Sequence, residues 1–425
     1  MSASGGESIS STQSMILDLP PSCIEFCPAH PDLFVVGTYN LENSEEAKTV
    51  DEEKLDEEED LQASSTGKQP QSRNGSIILF QLREGKVYPI QTISQPSAVF
   101  DLHFQPHPGK GDVFATVSST GTISVFKVVV PAGWNSASPV PVIDHLDMIQ
   151  PISVLRLPDL DEDVLFTYFA WHPSIPGLVA ITTASGQVIL VQIHKDYQSI
   201  EVLENPVLEH SLEAWVVAFS QPTSQPSSEP TKAPFTIFSG GDDSALKYTT
   251  YDPSADHPTP YSPITLRGHT AGVTAILPLA LPNSHIVLTG SYDDTIRVFA
   301  IAPLHTTFGA KQARPLAECS LGGGVWRLSV IGEAAVGADG EWAVSVLASC
   351  MHAGTRVLRI AGGDGGEDVE IEVLGRFEEH KSMNYGSDWA RVDEPVDGDG
   401  RPRGIIVSTS FYDRLLCVWS MSKGS

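Results

Sequence analysis

The chain has 425 residues, with 53 acidic against 26 basic side chains and a formal charge of −27. That balance argues against nucleic acid as a partner, because phosphate backbones demand a basic footprint; the 41% of apolar residues is enough for a real core, yet no apolar run approaches the roughly 18–20 residues of a membrane helix. Five scattered cysteines (Cys23, Cys27, Cys319, Cys350, Cys417) make neither a disulfide framework nor a zinc-binding spacing, which predicts a reducing, cytoplasmic setting.

Residues 1–13 lack the charged and apolar regions of a signal peptide and are expected to be disordered. Ser14–Pro20 (SMILDLP) reads as a strand that closes the last repeat. Residues 42–60 hold eleven acids and two lysines. With their polar continuation to about residue 73 they predict a disordered acidic insert in the first repeat, since like charges repel and nothing apolar is available to bury. The body, ending near residue 420 before a short tail (421–425), is written in short apolar runs separated by Gly, Asp, Ser and Pro turns. No long stretch keeps a helical period.

The clearest unit is 268–299, GHTAGVTAILPLALPNSHIVLTGSYDDTIRVF. It resembles a WD repeat. In that family a His, a Ser/Thr, a turn Asp and a Trp form a buried relay, which puts His269, Ser291 and Asp293 in those roles and Phe299 at the Trp place. The same turn recurs at Asn74, Thr120, Ser185, Asp243, Asp293, His352 and Asp413, in steps of 46 to 65 residues. A bare propeller blade needs about 40–45, so each step carries extra loop. The expected fold is all-β, one seven-bladed β-propeller over residues 14–420; six blades plus an irregular one is the alternative, because the first three repeats lack the turn Asp.

Sequence signs of a serine-hydrolase elbow, a phosphate-binding Gly-rich loop or a His-Glu-x-x-His zinc site are missing. No metal or cofactor is expected. What remains is a set of aromatics near the starts of first strands: Phe100, Trp215, Trp326 and Tyr385. At a propeller mouth they make a candidate collar for an organic cation, which ring faces attract; the competing role is packing between blades. His352 stands where regular repeats have the turn Asp. His380 matches a relay histidine partnered by Asp413. Asp388, Arg327 and Tyr412 lie near the same strand ends. Ser410 and Cys350 are potential nucleophiles on strands.

The strings GTYNLE (37–42), FSGGDDSALK (238–247), GGGVWRL (322–328), SCMHAG (349–354), HKSMNYGSDW (380–389) and STSFYD (408–413) together resemble the diphthine methylesterase (diphthine methyltransferase) family of WD-repeat proteins. The resemblance runs from about residue 20 to 420. It implies hydrolysis of a methyl ester on a modified histidine of translation elongation factor 2, an intermediate of diphthamide biosynthesis that also carries a trimethylammonium group. Other proteins of that pathway would be possible partners. On this reading His352 activates water or donates to the oxyanion, with His380 or Asp388 orienting it. Phe100, Trp215, Trp326 and Tyr385 hold the cation, and Arg327 and Tyr412 line the mouth. A covalent route through Ser410 or Cys350 is the second choice. The rivals are a non-enzymatic adaptor and a cargo-binding scaffold.

Overall fold

The structure is a computed structural model that describes residues 5–41, 73–134, 147–158, 160–161, 164–220, 233–281, 285–332, 334–337, 340–363, 366, 368–391 and 404–421. The acidic insert and the last tail residues lie outside them. Among the described residues the elements are strands, gathered into seven sheets, antiparallel but for one added strand, that form a seven-bladed propeller. The inner strands are Pro21–Phe26, Val99–Phe104, Phe166–Trp171, Ala214–Phe219, Val273–Pro278, Arg327–Val330 and Gly386–Arg391, for blades 1 to 7 in order. Each touches the next, and Gly386–Arg391 touches Pro21–Phe26, so they ring a central channel.

The second strand of each blade explains the uninterrupted apolar runs. Leu33–Thr38, Val113–Ser118, Leu178–Thr183 and Ile286–Ser291 are buried at every position. Both faces of such a strand meet a neighbouring blade, so alternation gives way to continuous hydrophobicity. The core is accordingly not one centre but seven wedges. Leu288 of blade 5 packs with Val346 of blade 6, and Val418 of blade 7 packs with Val36 of blade 1. No blade buries its faces alone, and the blades stabilise one another.

The relay is built in three blades, with corrections to the expected partners. In blade 5, His269 bonds Asp293 (3.1 Å) and Thr289 (2.8 Å), not Ser291, whose hydroxyl donates to the Ala271 carbonyl instead. His210 of blade 4 bonds Asp243 and Ser239. In blade 7, His380 Nε2 lies 2.8 Å from Ser408 Oγ, which accepts the Trp419 indole N–H at 2.9 Å. Asp413 does not bond His380; its carboxylate accepts from Ser382 and from the Lys381 N–H. Blades 2 and 3 replace the turn acid with hydroxyl pairs, Ser118 with Thr120 (3.2 Å) and Thr183 with Ser185 (2.9 Å). The missing turn Asp therefore marks a different stitch, not a missing blade.

Ring closure is non-covalent. Gln13–Ile16 pairs antiparallel with Leu415–Ser420 as the outer strand of blade 7, close to the expected Ser14–Pro20. A further strand, Glu7–Ile9, lies inside the stretch expected to be disordered. It adds in parallel to Glu370–Phe377 of blade 6. The Gln13 side chain exchanges two hydrogen bonds with the Val87 backbone of blade 1 (2.7 and 3.0 Å). The N-terminal segment thus straps blades 6, 7 and 1 together.

Candidate active site

Each inner strand delivers its early residues to one end of the channel. In blades 1 to 5 the second residue (Ser22, Phe100, Thr167, Trp215, Thr274) falls at a break of register with the neighbouring strand. A bulge there re-aims one side chain out of the pleat. Trp326 and Tyr385 directly precede the inner strands of blades 6 and 7. A second set comes from the turn after each second strand: the N–H groups of Tyr39, Asp242 and Tyr292 donate to the carbonyl just before their inner strands, and Phe411 donates to Met383 (2.9–3.0 Å).

The two sets meet ring to ring. Centroid distances are 5.7 Å for Trp215–Trp326, 5.9 Å for Tyr292–Trp326 and 4.9 Å for Trp326–Tyr385. The chain continues through Tyr385–Phe411 (5.6 Å), Phe411–Tyr39 (5.8 Å) and Tyr39–Phe100 (5.3 Å). All four predicted collar residues belong to this arc. Tyr39, Tyr292 and Phe411 were missed, although each stands at the same turn position of its repeat. Tyr412, 57% exposed, touches Phe411 edge-on from the rim.

A cavity of about 470 Å³ occupies the channel, and Tyr385 lines it as well as the arc. Period-2 alternation turns Asp101 and His103 of blade 2, Glu25 of blade 1 and Asp388 of blade 7 toward it. His103 is gripped from both sides: Nδ1 lies 2.7 Å from Glu25 and Nε2 3.1 Å from Asp101. Burial opposes a charged ring, yet the Tyr168 phenol and the Asp101 and Glu25 carboxylates hold His103 well above the ordinary histidine range. Arg327 Nη2 is 3.3 Å from Asp101, and its guanidinium lies 4.6 Å over Tyr168 and 5.4 Å over Trp326. Burial alone would raise Asp101, but Arg327 and His103 keep its carboxyl below the usual range.

Asp388 behaves differently. Its Oδ2 accepts the Phe26 N–H at 2.6 Å, and among the described residues no cation forms an ion pair with it. Burial, reinforced by Glu25, pushes its carboxyl up to about 7. The Glu25, Asp101 and His103 roles went unread in the sequence. The available signal was charge on two inner strands where blades 4 and 5 carry Val216, Ala218, Ala275 and Leu277.

The remaining candidates fare unequally. His352 is exposed in the turn at 350–354, on the same end of the ring as the arc. His380 is 6% exposed and held in the blade 7 relay, where burial pushes its ring down to about 4, so it does not line the cavity. Ser410 is fully buried and donates to Asp413. Cys350 is also fully buried, and burial drives its thiol up to about 12. Neither is placed as a nucleophile. Among the described residues no cluster of three His, Cys, Asp or Glu side chains has the spacing of a metal site.

Residues 261–299 match the WD domain, G-beta repeat family. Diphthine methyltransferase of Schizosaccharomyces pombe is 26% identical over 95% of both chains. The human protein of that name is 24% identical over 89% of this chain and 74% of its own length, and the Saccharomyces cerevisiae one 24% over 94% and 95%. The chain is a homologue of the diphthine methyltransferases. Sqt1 from Chaetomium thermophilum, a solved structure, shares the fold alone (TM-score 0.56, 12% identity, 97% and 99% coverage).

The strings that carry the diphthine methyltransferase resemblance converge in space. GTYNLE supplies Tyr39, FSGGDDSALK Asp242, GGGVWRL Trp326 and Arg327, HKSMNYGSDW Tyr385 and Asp388, and STSFYD Phe411. SCMHAG folds over GGGVWRL. A Cβ on Gly323 would meet the Cys350 carbonyl and, at 2.8 Å, the Ala353 Cβ, while one on Gly324 would lie 2.6 Å from Met351 Sδ. Glycine is needed there because the turn presses onto the strand entry.

Proposed function

We propose that this chain acts in diphthamide biosynthesis, hydrolysing the methyl ester of methylated diphthine on translation elongation factor 2 to give diphthine and methanol. The observation that carries this reading is the convergence just described: near-full-length similarity to diphthine methyltransferases, with the distinctive strings gathered around one mouth and its cavity. A protein-borne arm with a fixed positive charge suits an aromatic arc on an acidic protein.

On this reading water is the nucleophile. Asp388 is the base best poised near neutral pH, because a base is most effective when its pKa lies close to the working pH. Arg327 lies over Trp326 of the arc and offers N–H donors to the oxyanion that forms as water adds to the ester carbonyl. Collapse of that intermediate expels methoxide, which takes up the proton from Asp388 and leaves as methanol. His352, exposed on the rim, is the second candidate base; His380 keeps a structural role.

The test is release of methanol from methylated elongation factor 2 by the purified chain. Proportional release with time supports the reading; a chain that binds the factor without releasing methanol is an adaptor. The covalent route has its own check. Cys350→Ser is expected to leave turnover within about twofold of the parent, since the thiol is sealed and protonated. Trapping of an acyl group on Cys350 by mass spectrometry would reverse that assignment.

A further inference from the structure

The mouth is electrically one-sided. Of the residues named at its two positions, bulge and turn, Asp242 alone is charged. Its Oδ1 accepts the Trp215 indole N–H at 2.7 Å. Trp215 in turn meets Trp326, and Trp326 meets Tyr292, at 5.7 and 5.9 Å between centroids. Tyr292, Trp326 and Asp242 are half-buried and open in part to solvent, while Trp215 is buried behind them. The far end of the arc is opposite in character: Arg73 Nε donates to the Tyr39 hydroxyl at 2.8 Å.

We infer that Trp215, Tyr292, Trp326 and Asp242 form the subsite for a quaternary ammonium group, with the Tyr39–Phe100 end of the arc excluded from that role by Arg73. The half-buried rings of Tyr292 and Trp326 supply attraction to a diffuse cation, and buried Trp215 fixes Asp242 through its indole N–H so that the carboxylate gives the cation a counter-charge. Arg327 lies close by, but its charge is matched by Asp101 at 3.3 Å. The chain order also fits the ligand. In an arm whose ammonium and ester groups share one carbon, the two ends must be received side by side, and Trp326 and Arg327 are consecutive residues.

This inference rests on the proposed function for the identity of the ligand, and the experiment is a binding measurement that needs no turnover. Choline is titrated into the full chain, following tryptophan emission, against 3,3-dimethylbutan-1-ol, its uncharged carbon isostere. Choline is expected to bind at least about tenfold more tightly than the alcohol. Asp242→Asn keeps an acceptor for the Trp215 indole and removes only the charge, so it should weaken choline at least about fivefold and leave the alcohol unchanged. Equal binding of the two probes, or unaltered choline binding in Asp242→Asn, would overturn the subsite even if the ester is hydrolysed. Selective choline binding that Asp242→Asn weakens, in a chain that releases no methanol, would uphold the subsite and remove the hydrolytic reading.

Discussion

Asp388→Asn is expected to lower ester turnover at least about a hundredfold, the lower bound for losing a positioned general base. The parent's kcat/KM should rise as pH passes through about 7, where Asp388 gives up its proton, and the residual activity of the variant should lack that ionisation. The same substitution should stabilise the fold. The folded carboxyl holds its proton up to about pH 7, whereas the unfolded one loses it near the ordinary value of 3.8. Between those limits the folded chain binds more protons, so stability contributed by this group falls as pH rises through the window and stays low above it. Asparagine cannot ionise. At pH 8 the variant should therefore be about 1–3 kcal/mol more stable than the parent, with little difference near pH 4. Urea unfolding at the two pH values, paired with turnover, checks both halves. Normal turnover in Asp388→Asn together with a large loss in His352→Ala would move the base to the rim.

Removing residues 1–16 should unlatch the ring. Leu415–Ser420 would lose its outer partner and become a long exposed edge, and the contacts of buried Ile9 in the blade 6–7 wedge would go with it. Loss of that side chain, the strand pairing and the Gln13–Val87 bonds is expected to cost at least about 3 kcal/mol and to expose an aggregation-prone edge. A shorter deletion, residues 1–11, removes the parallel strand on blade 6 and the Ser11–Glu379 bonds but keeps Gln13–Ile16, and should have the smaller effect. Thermal unfolding of the two truncations gives the comparison. A 1–16 deletion that melts with the parent would mean the strap is incidental to closure.

The fold was legible because blade periodicity is written in turns. Asp243, Asp293 and Asp413 mark three of them directly, and the hydroxyls of Thr120 and Ser185 mark two more in another chemistry. The short Glu7–Ile9 strand escaped because three residues in a polar stretch have no period to detect. Four of the seven arc residues were legible for a similar reason: Phe100, Trp215, Trp326 and Tyr385 share a position on aligned strands. Tyr39, Tyr292 and Phe411 come from turns, so strand alignment passes over them. The channel cluster was the least visible part. Glu25 of blade 1 meets Asp101 and His103 of blade 2 only when the two blades pack, and the pairing of Thr289 with His269 depended on a register that spacing alone did not fix.

The most direct test of the account is the intact mass of elongation factor 2 carrying the methylated intermediate, before and after incubation with the purified chain. The expected result is a loss of one methylene per modified histidine, the change from methyl ester to acid, abolished in Asp388→Asn. An unchanged mass, or a gain of one methylene when a methyl donor is supplied, would contradict it.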